Sequence, residues 1–329
     1  MSKNGTILVG TIGQGIMMSP DNGERWMRAG VSQGMHSDCI CRAIVSDPRQ
    51  PEVVYAGTDM GLYRSEDNGI HWQLQDNAMK GSVVWVLTQD PNNADVMFAG
   101  TGTPSRPGLY RSTDSGRSWE LRPMDIADEC INVGVPRFTG ISVDPTDSRN
   151  VWAGLEVDGF RRSTDGGDTW TRVEGPITNM DVHNVLVVEG PPKTVFILVN
   201  DEVWSSTDEG ESWTPLGVDD VFGLRYPRGV AAKPGEPGTL FVTMGDATPG
   251  TTGNVMRSTN AGQSWDKLSL GSQPNSAMWT VNMQPWDPDT VLAASRYGYL
   301  YISDDGGDHW AKSWREFSEV SSLAWLPEQ

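Results

Sequence analysis

Ser65-Glu66-Asp67-Asn68-Gly69-Ile70-His71-Trp72 decides the fold, because its spacing returns six more times in the chain. The pattern is Ser-x-Asp-x-Gly-x-x-Trp. It stands at Ser19 to Trp26, Ser112 to Trp119, Ser163 to Trp170, Ser206 to Trp213, Ser258 to Trp265 and Ser303 to Trp310, with Asn260 replacing Asp in one copy. Successive Trp residues are 46, 47, 51, 43, 52 and 45 apart, the period of a repeat architecture. Residue chemistry makes the motif a hairpin turn. Ser and Asp side chains accept from nearby backbone N–H groups, Gly supplies φ > 0, and Trp lays a large face on the sheet. Its row of carboxylates is therefore read as structural rather than catalytic.

Short apolar runs precede each turn, such as Val53-Val54-Tyr55-Ala56-Gly57, followed by Gly61-Leu62-Tyr63-Arg64-Ser65. A third run lies further upstream. Aligned across the repeats it has an aliphatic position at Ile44, Leu87, Ile141, Leu186, Val230, Val281 and Leu323, each preceded by a small or β-branched residue. A strand apolar on one face and small on the other suits the innermost strand of a propeller blade. The spacing predicts an all-β fold: one domain over 1–329, a single seven-bladed propeller with four antiparallel strands per blade and the turn between the third and fourth. The N-terminal repeat lacks its innermost strand, and residues 320–327 supply it. The ring is expected to close three strands plus one, which removes a free edge.

The turn resembles the Asp box (BNR repeat) of sialidases and other Asp-box propellers, and through its repeats the resemblance covers the whole chain. That superfamily includes xyloglucan-active glycoside hydrolases, sortilin-type receptors and photosystem II assembly factors. The resemblance implies that the box lies on the face away from the ligand, so its residues give no active site. Nothing before Ser19 matches the Phe/Tyr-Arg-Ile/Leu-Pro motif of sialidases, and Arg225-Tyr226-Pro227-Arg228 lies too late in the chain. Xyloglucan-active enzymes use a cleft between two propellers, and this sequence encodes one. The assembly factors match in blade number and size.

Composition narrows the classes further. The 329 residues hold 37 Gly, 21 Pro and 14 Trp, and 43 acids against 25 bases give a net charge of −18. Phosphate-backbone binding needs a cationic face, so no nucleic-acid partner is expected. No apolar run approaches the ~18 residues of a membrane-spanning helix, so no membrane partner is expected. The sequence shows no signal-peptide pattern, and its three Cys (39, 41, 130) suit a reducing compartment, so a cytoplasmic location is expected.

With the boxes on one face, the loops of the other form the candidate site, and residues 101–107, 123–137, 217–227 and 245–252 are the long ones. Two positions before the aliphatic ring stand Arg42, Trp85, Thr139, Asn184, Arg228, Trp279 and Ser321. Beside them lie His36, Arg137, His183, Arg225 and Tyr226, with Glu156, Arg296 and Tyr297 from the loops between second and third strands. Guanidinium groups fork to carboxylate or phosphate and aromatic faces stack on rings. Arg42, Trp85, Arg137, Arg225, Tyr226, Arg228, Trp279, Arg296 and Tyr297 are therefore the candidate binders of a small anionic or sugar-like molecule. His183, Asp181 and Glu156, with His36, are the candidate acid–base group. His36, Cys39 and Cys130 have metal-ligand chemistry but no standard zinc spacing, so no metal and no cofactor is expected. Arg64, Arg111, Arg162 and Arg257, just before the boxes, read as outward surface residues. The reading leans to a hydrolase or lyase, with a non-catalytic ligand- or protein-binding assembly propeller as the alternative.

Overall fold

A computed structural model of the chain describes residues 4–130 and 133–328. The described residues form seven sheets of four antiparallel strands. We number the blades from the one holding the N-terminus and letter the strands A to D outward from the channel. The A strands are Val320–Pro327, Cys41–Asp47, Val83–Gln89, Phe138–Asp144, Val182–Val188, Tyr226–Lys233 and Met278–Gln284 for blades one to seven. Blade one closes as expected: Gly5–Thr11 pairs antiparallel with the C-terminal strand, Gly5 opposite Pro327 and Val9 opposite Leu323.

Packing follows from the alternation. Seven apolar clusters fill the seven interfaces between adjacent blades. The turns take part in them. In each turn the Gly N–H donates to the Ser hydroxyl, as in Gly23 to Ser19 (2.7 Å), and that hydroxyl donates to the Asp or Asn carbonyl-type oxygen. Six of the seven Trp indoles donate to the carbonyl of their own turn Gly, while Trp213 Nε1 has no hydrogen-bond partner among the described residues. In six of the seven turns the Gly also abuts a large side chain from the preceding blade's B strand. At Gly210, with φ 91°, an added Cβ would stand 2.7 Å from Trp152. Gly is needed there both for its backbone angle and for its missing side chain.

Two sequence expectations are corrected. Arg111, Arg162 and Arg257 are not outward surface residues but struts, each donating to a carbonyl of the following blade's turn (Gly166, Glu209, Gly306). Arg64 folds back onto Tyr55, whose hydroxyl bonds Ser115 of the next turn at 2.6 Å. In blade five the register is one residue earlier than aligned: Val185, opposite Ile197, holds the aliphatic position, and Leu186 does not.

Candidate functional site

The register reveals a device repeated in all seven blades. Each ladder between A and B strands skips near the top of A. Cys41 pairs Thr58 and Ala43 pairs Gly57, leaving Arg42 unpaired. The same skip leaves out Trp85, Thr139, His183, Arg228 with Gly229, Trp279 and Ser321. These are β-bulges, which re-aim a side chain out of the sheet alternation. Here each aims one side chain at the mouth of the channel, and all seven line one cavity of ≈440 Å³.

Most of these residues reach to the next blade. Thr139 donates to Val182 O (2.6 Å), His183 to Pro227 O (2.7 Å) and Ser321 to Cys41 O. In every case the acceptor is the residue just before the next bulge. The two arginines make the same step by stacking. Arg42 lies 4.0 Å from the Trp85 ring centre and Arg228 lies 4.2 Å from that of Trp279. A second guanidinium covers each indole: Arg137 on Trp85 and Arg296 on Trp279, both at 4.2 Å. Trp85 Nε1 donates to Thr103 O at 3.0 Å, which fixes its plane. Tyr226 stacks beside Trp279 (6.3 Å, 25°) and packs tilted against His183 (4.7 Å, 57°).

Charges are unequal at this mouth. Arg137 pairs with Glu156, and Arg296 with Glu319 at 2.7 Å. Among the described residues neither Arg42 nor Arg228 has a carboxylate partner, and the buried Arg42 Nε has no hydrogen-bond partner. Burial, then the neighbouring Arg137 and Arg296, pushes Arg42 down to about 10. Burial likewise lowers Arg228. His183 is held well below its usual range by burial and by Arg228, so its ring is neutral. Because its Nδ1 hydrogen is given to Pro227 O, the Nε2 lone pair is what remains, 3.8 Å from Asp181. Asp181 is raised by burial and by Glu156.

The turn holding Glu156 is strained. Val157 has φ 60°, a costly left-handed conformation for a β-branched residue. It separates Glu156 from Asp158, a buried carboxylate that pairs with Arg161 at 2.8 Å and with Arg172. Arg161 in turn donates to Asp125 O (2.9 Å), and Asp158 accepts from Ala127 N (3.2 Å), which fastens the start of the 123–137 loop. One strained turn thus ties the loop that leads to Arg137 and presents the carboxylate that pairs with it.

Of the predicted residues, Arg42, Trp85, Arg137, Glu156, His183, Tyr226, Arg228, Trp279 and Arg296 line this cavity. The others do not. Arg225 is exposed and pairs with Asp219 at 2.7 Å. Tyr297 is exposed, with its backbone carbonyl capping Asn275. His36 is exposed on the loop between blades one and two, its backbone N–H directed at the Tyr63 hydroxyl (3.4 Å). Asp181 lies 3.8 Å from His183 but outside the lining. Cys39 is core beside Met35, and Cys130 lies on the loop between blades three and four, near Asp158 and Arg172. Among the described residues no group of three or more His, Cys, Asp or Glu is placed to hold a metal ion. Glu319 was missed. It stands two residues before the bulged Ser321, the same offset as Arg137 before Thr139, and that offset was the available signal.

No family model matches the chain. It is similar to seven-bladed propellers of two kinds. The oligoxyloglucan-reducing end-specific xyloglucanase of Emericella nidulans is 24% identical over 331 residues, covering 85% of this chain and 40% of that protein. The photosystem II assembly lipoprotein Ycf48 of Synechococcus sp. (strain CC9902) is 25% identical over 209 residues, covering 58% of this chain and 59% of that protein. Among solved structures, the GH74 xyloglucanase from Xanthomonas campestris superposes with a TM-score of 0.63 at 22% identity, covering 83% of this chain and 45% of that one. Ycf48 bound to D1 peptide superposes with a TM-score of 0.57 at 16% identity, covering 88% and 92%. The chain therefore spans less than half the length of the xyloglucanases and nearly all of that Ycf48 structure.

Proposed function

We propose that this protein is a ligand-binding propeller that captures an anion at the channel mouth. The observation that carries the reading is the pair Arg42 and Arg228, two guanidiniums seated on Trp85 and Trp279 with no carboxylate partner among the described residues. A stacked guanidinium keeps its N–H edge for a planar anion, and Arg is the residue suited to such forked contacts.

Chemistry at the same wall favours binding over hydrolysis. A glycoside hydrolase needs two carboxyl groups facing the scissile bond, one kept protonated. Glu156 is already engaged by Arg137 and Glu319 by Arg296, so neither carboxyl is free to face a scissile bond. Asp181, a carboxyl that burial raises, does not line the cavity. The Ycf48 relative was solved with a D1 peptide, and a peptide bearing carboxylates falls within the ligand class proposed here.

The second reading, a glycoside hydrolase using Asp181, His183 and Glu156, is favoured by the xyloglucanase similarity. One pair of assays separates the two. Calorimetric titration with malonate is expected to give saturable binding, and incubation with xyloglucan oligosaccharides is expected to release no reducing sugar. Sugar release above the blank, abolished in Asp181→Asn, would overturn the binding reading.

A further inference from the structure

We infer that the ligand carries two negative charges, held from opposite walls by Arg42 and Arg228. This rests on the anion-binding reading and deepens it to a charge class. The cavity wall bears four guanidiniums and two carboxylates, and each carboxylate is already spent on one guanidinium: Glu156 on Arg137 and Glu319 on Arg296. Two positive charges are left over. They are not adjacent. Arg42 lies on blade two and Arg228 on blade six, nearly opposite in a ring of seven.

A buried charge is tolerated when it is paired and costly when it is not. One monoanion would neutralise one of these guanidiniums and leave the other buried and unpaired. A neutral sugar would neutralise neither. A dianion satisfies both. A third charge would meet Arg137 or Arg296 only by displacing Glu156 or Glu319, and would otherwise repel them. The stacking adds direction. Trp85 and Trp279 cover the faces of Arg42 and Arg228, so their free N–H groups lie at the guanidinium edges. The two carboxylates thus act as fillers that set the charge count of the ligand at two, and Glu319 is the more open of them.

The test uses the full chain at pH 7.5 and low ionic strength, titrated calorimetrically with acetate, malonate and citrate. Malonate is expected to bind about ten-fold or more tighter than acetate, because a second charged hydrogen-bonded contact is gained. Arg42→Gln and Arg228→Gln are each expected to bring malonate to within about three-fold of acetate. Glu319→Gln, which removes a filler rather than a ligand group, is expected to move the preference toward citrate. That variant keeps the test sound if an arginine variant folds poorly. Acetate binding as tightly as malonate, or Arg42→Gln weakening both by the same factor, would overturn the dianion inference while leaving an anion site standing. If none of the three anions binds, the anion-site reading itself falls.

Discussion

Replacing Arg42 with Met is expected to make the ligand-free protein more stable, not less. Burial, then the facing Arg137 and Arg296, brings Arg42 down from its usual 12.5 to about 10. At about 1.4 kcal/mol per tenfold change, the charged form carries a penalty of roughly 3 kcal/mol in the folded state. The sign is clear: the penalty is fully present at neutral pH, below the folded value, and fades only as pH rises through about 10. Stacking on Trp85 returns roughly 1–2 kcal/mol. Met keeps the aliphatic stem and a sulfur against the indole, so the net gain is about 1–2 kcal/mol, or a Tm rise of a few degrees. Differential scanning calorimetry in a zwitterionic, phosphate-free buffer reads this directly. Saturating malonate should then shrink or erase the difference, since ligand at about 100 times the wild-type Kd adds roughly 2.7 kcal/mol to the wild type and less to a variant that binds it more weakly. An Arg42→Met protein less stable than wild type without anion would refute the claim that the mouth stores uncompensated charge. So would an equal malonate shift in both proteins.

Gly210→Ala is expected to cost several kcal/mol, because it combines φ 91° with a Cβ 2.7 Å from Trp152, whereas Gly235→Ala, at φ 78° in open space, costs only about 1–2 kcal/mol; urea denaturation of both separates the angle from the contact. His183 is lowered in the folded state, so the unfolded chain takes up its proton first and stability falls as pH drops from about 6.5 toward 5. His183→Asn, which keeps an N–H donor for Pro227, should flatten that slope. Asp181, which is raised, acts in the opposite sense below that window; burial, Arg228 and Arg137 keep the His183 ring neutral, and Tyr226 packs beside it. Val157→Gly should stabilise the protein by about 1 kcal/mol in thermal melts, because it relieves φ 60° at a β-branched residue, and Val157→Ala should not.

The blade count, the strand order within each blade and the closing strand were legible in the sequence because the Ser-x-Asp-x-Gly-x-x-Trp turn punctuates every repeat. The mouth was legible for a different reason. The bulge stands at nearly the same distance from the aliphatic ring in each blade, so counting back two residues landed on Arg42, Trp85, Arg228 and Trp279. Counting failed in blade five, where consecutive Val185, Leu186 and Val187 give the alternation no unique phase, and His183 was left beside the ring instead of within it. Residue types alone could not show that His183 is held neutral or that Glu156 is spent on Arg137, since both facts depend on neighbours from other blades. Arg225 and Tyr297 were misplaced because they are near the mouth in sequence, yet both side chains are exposed and lie outside the cavity. The pre-turn arginines were misread because a long side chain on an outer strand reaches the next blade as readily as it reaches water.

The central claim is that Arg42 and Arg228 together hold an anion. A crystal structure of the protein grown with malonate tests it most directly. Malonate is expected in the cavity, with carboxylate oxygens within hydrogen-bond distance of both guanidiniums and the Arg137–Glu156 and Arg296–Glu319 pairs intact. A cavity empty of malonate at a concentration that saturates calorimetric binding, or malonate seated elsewhere, would contradict it.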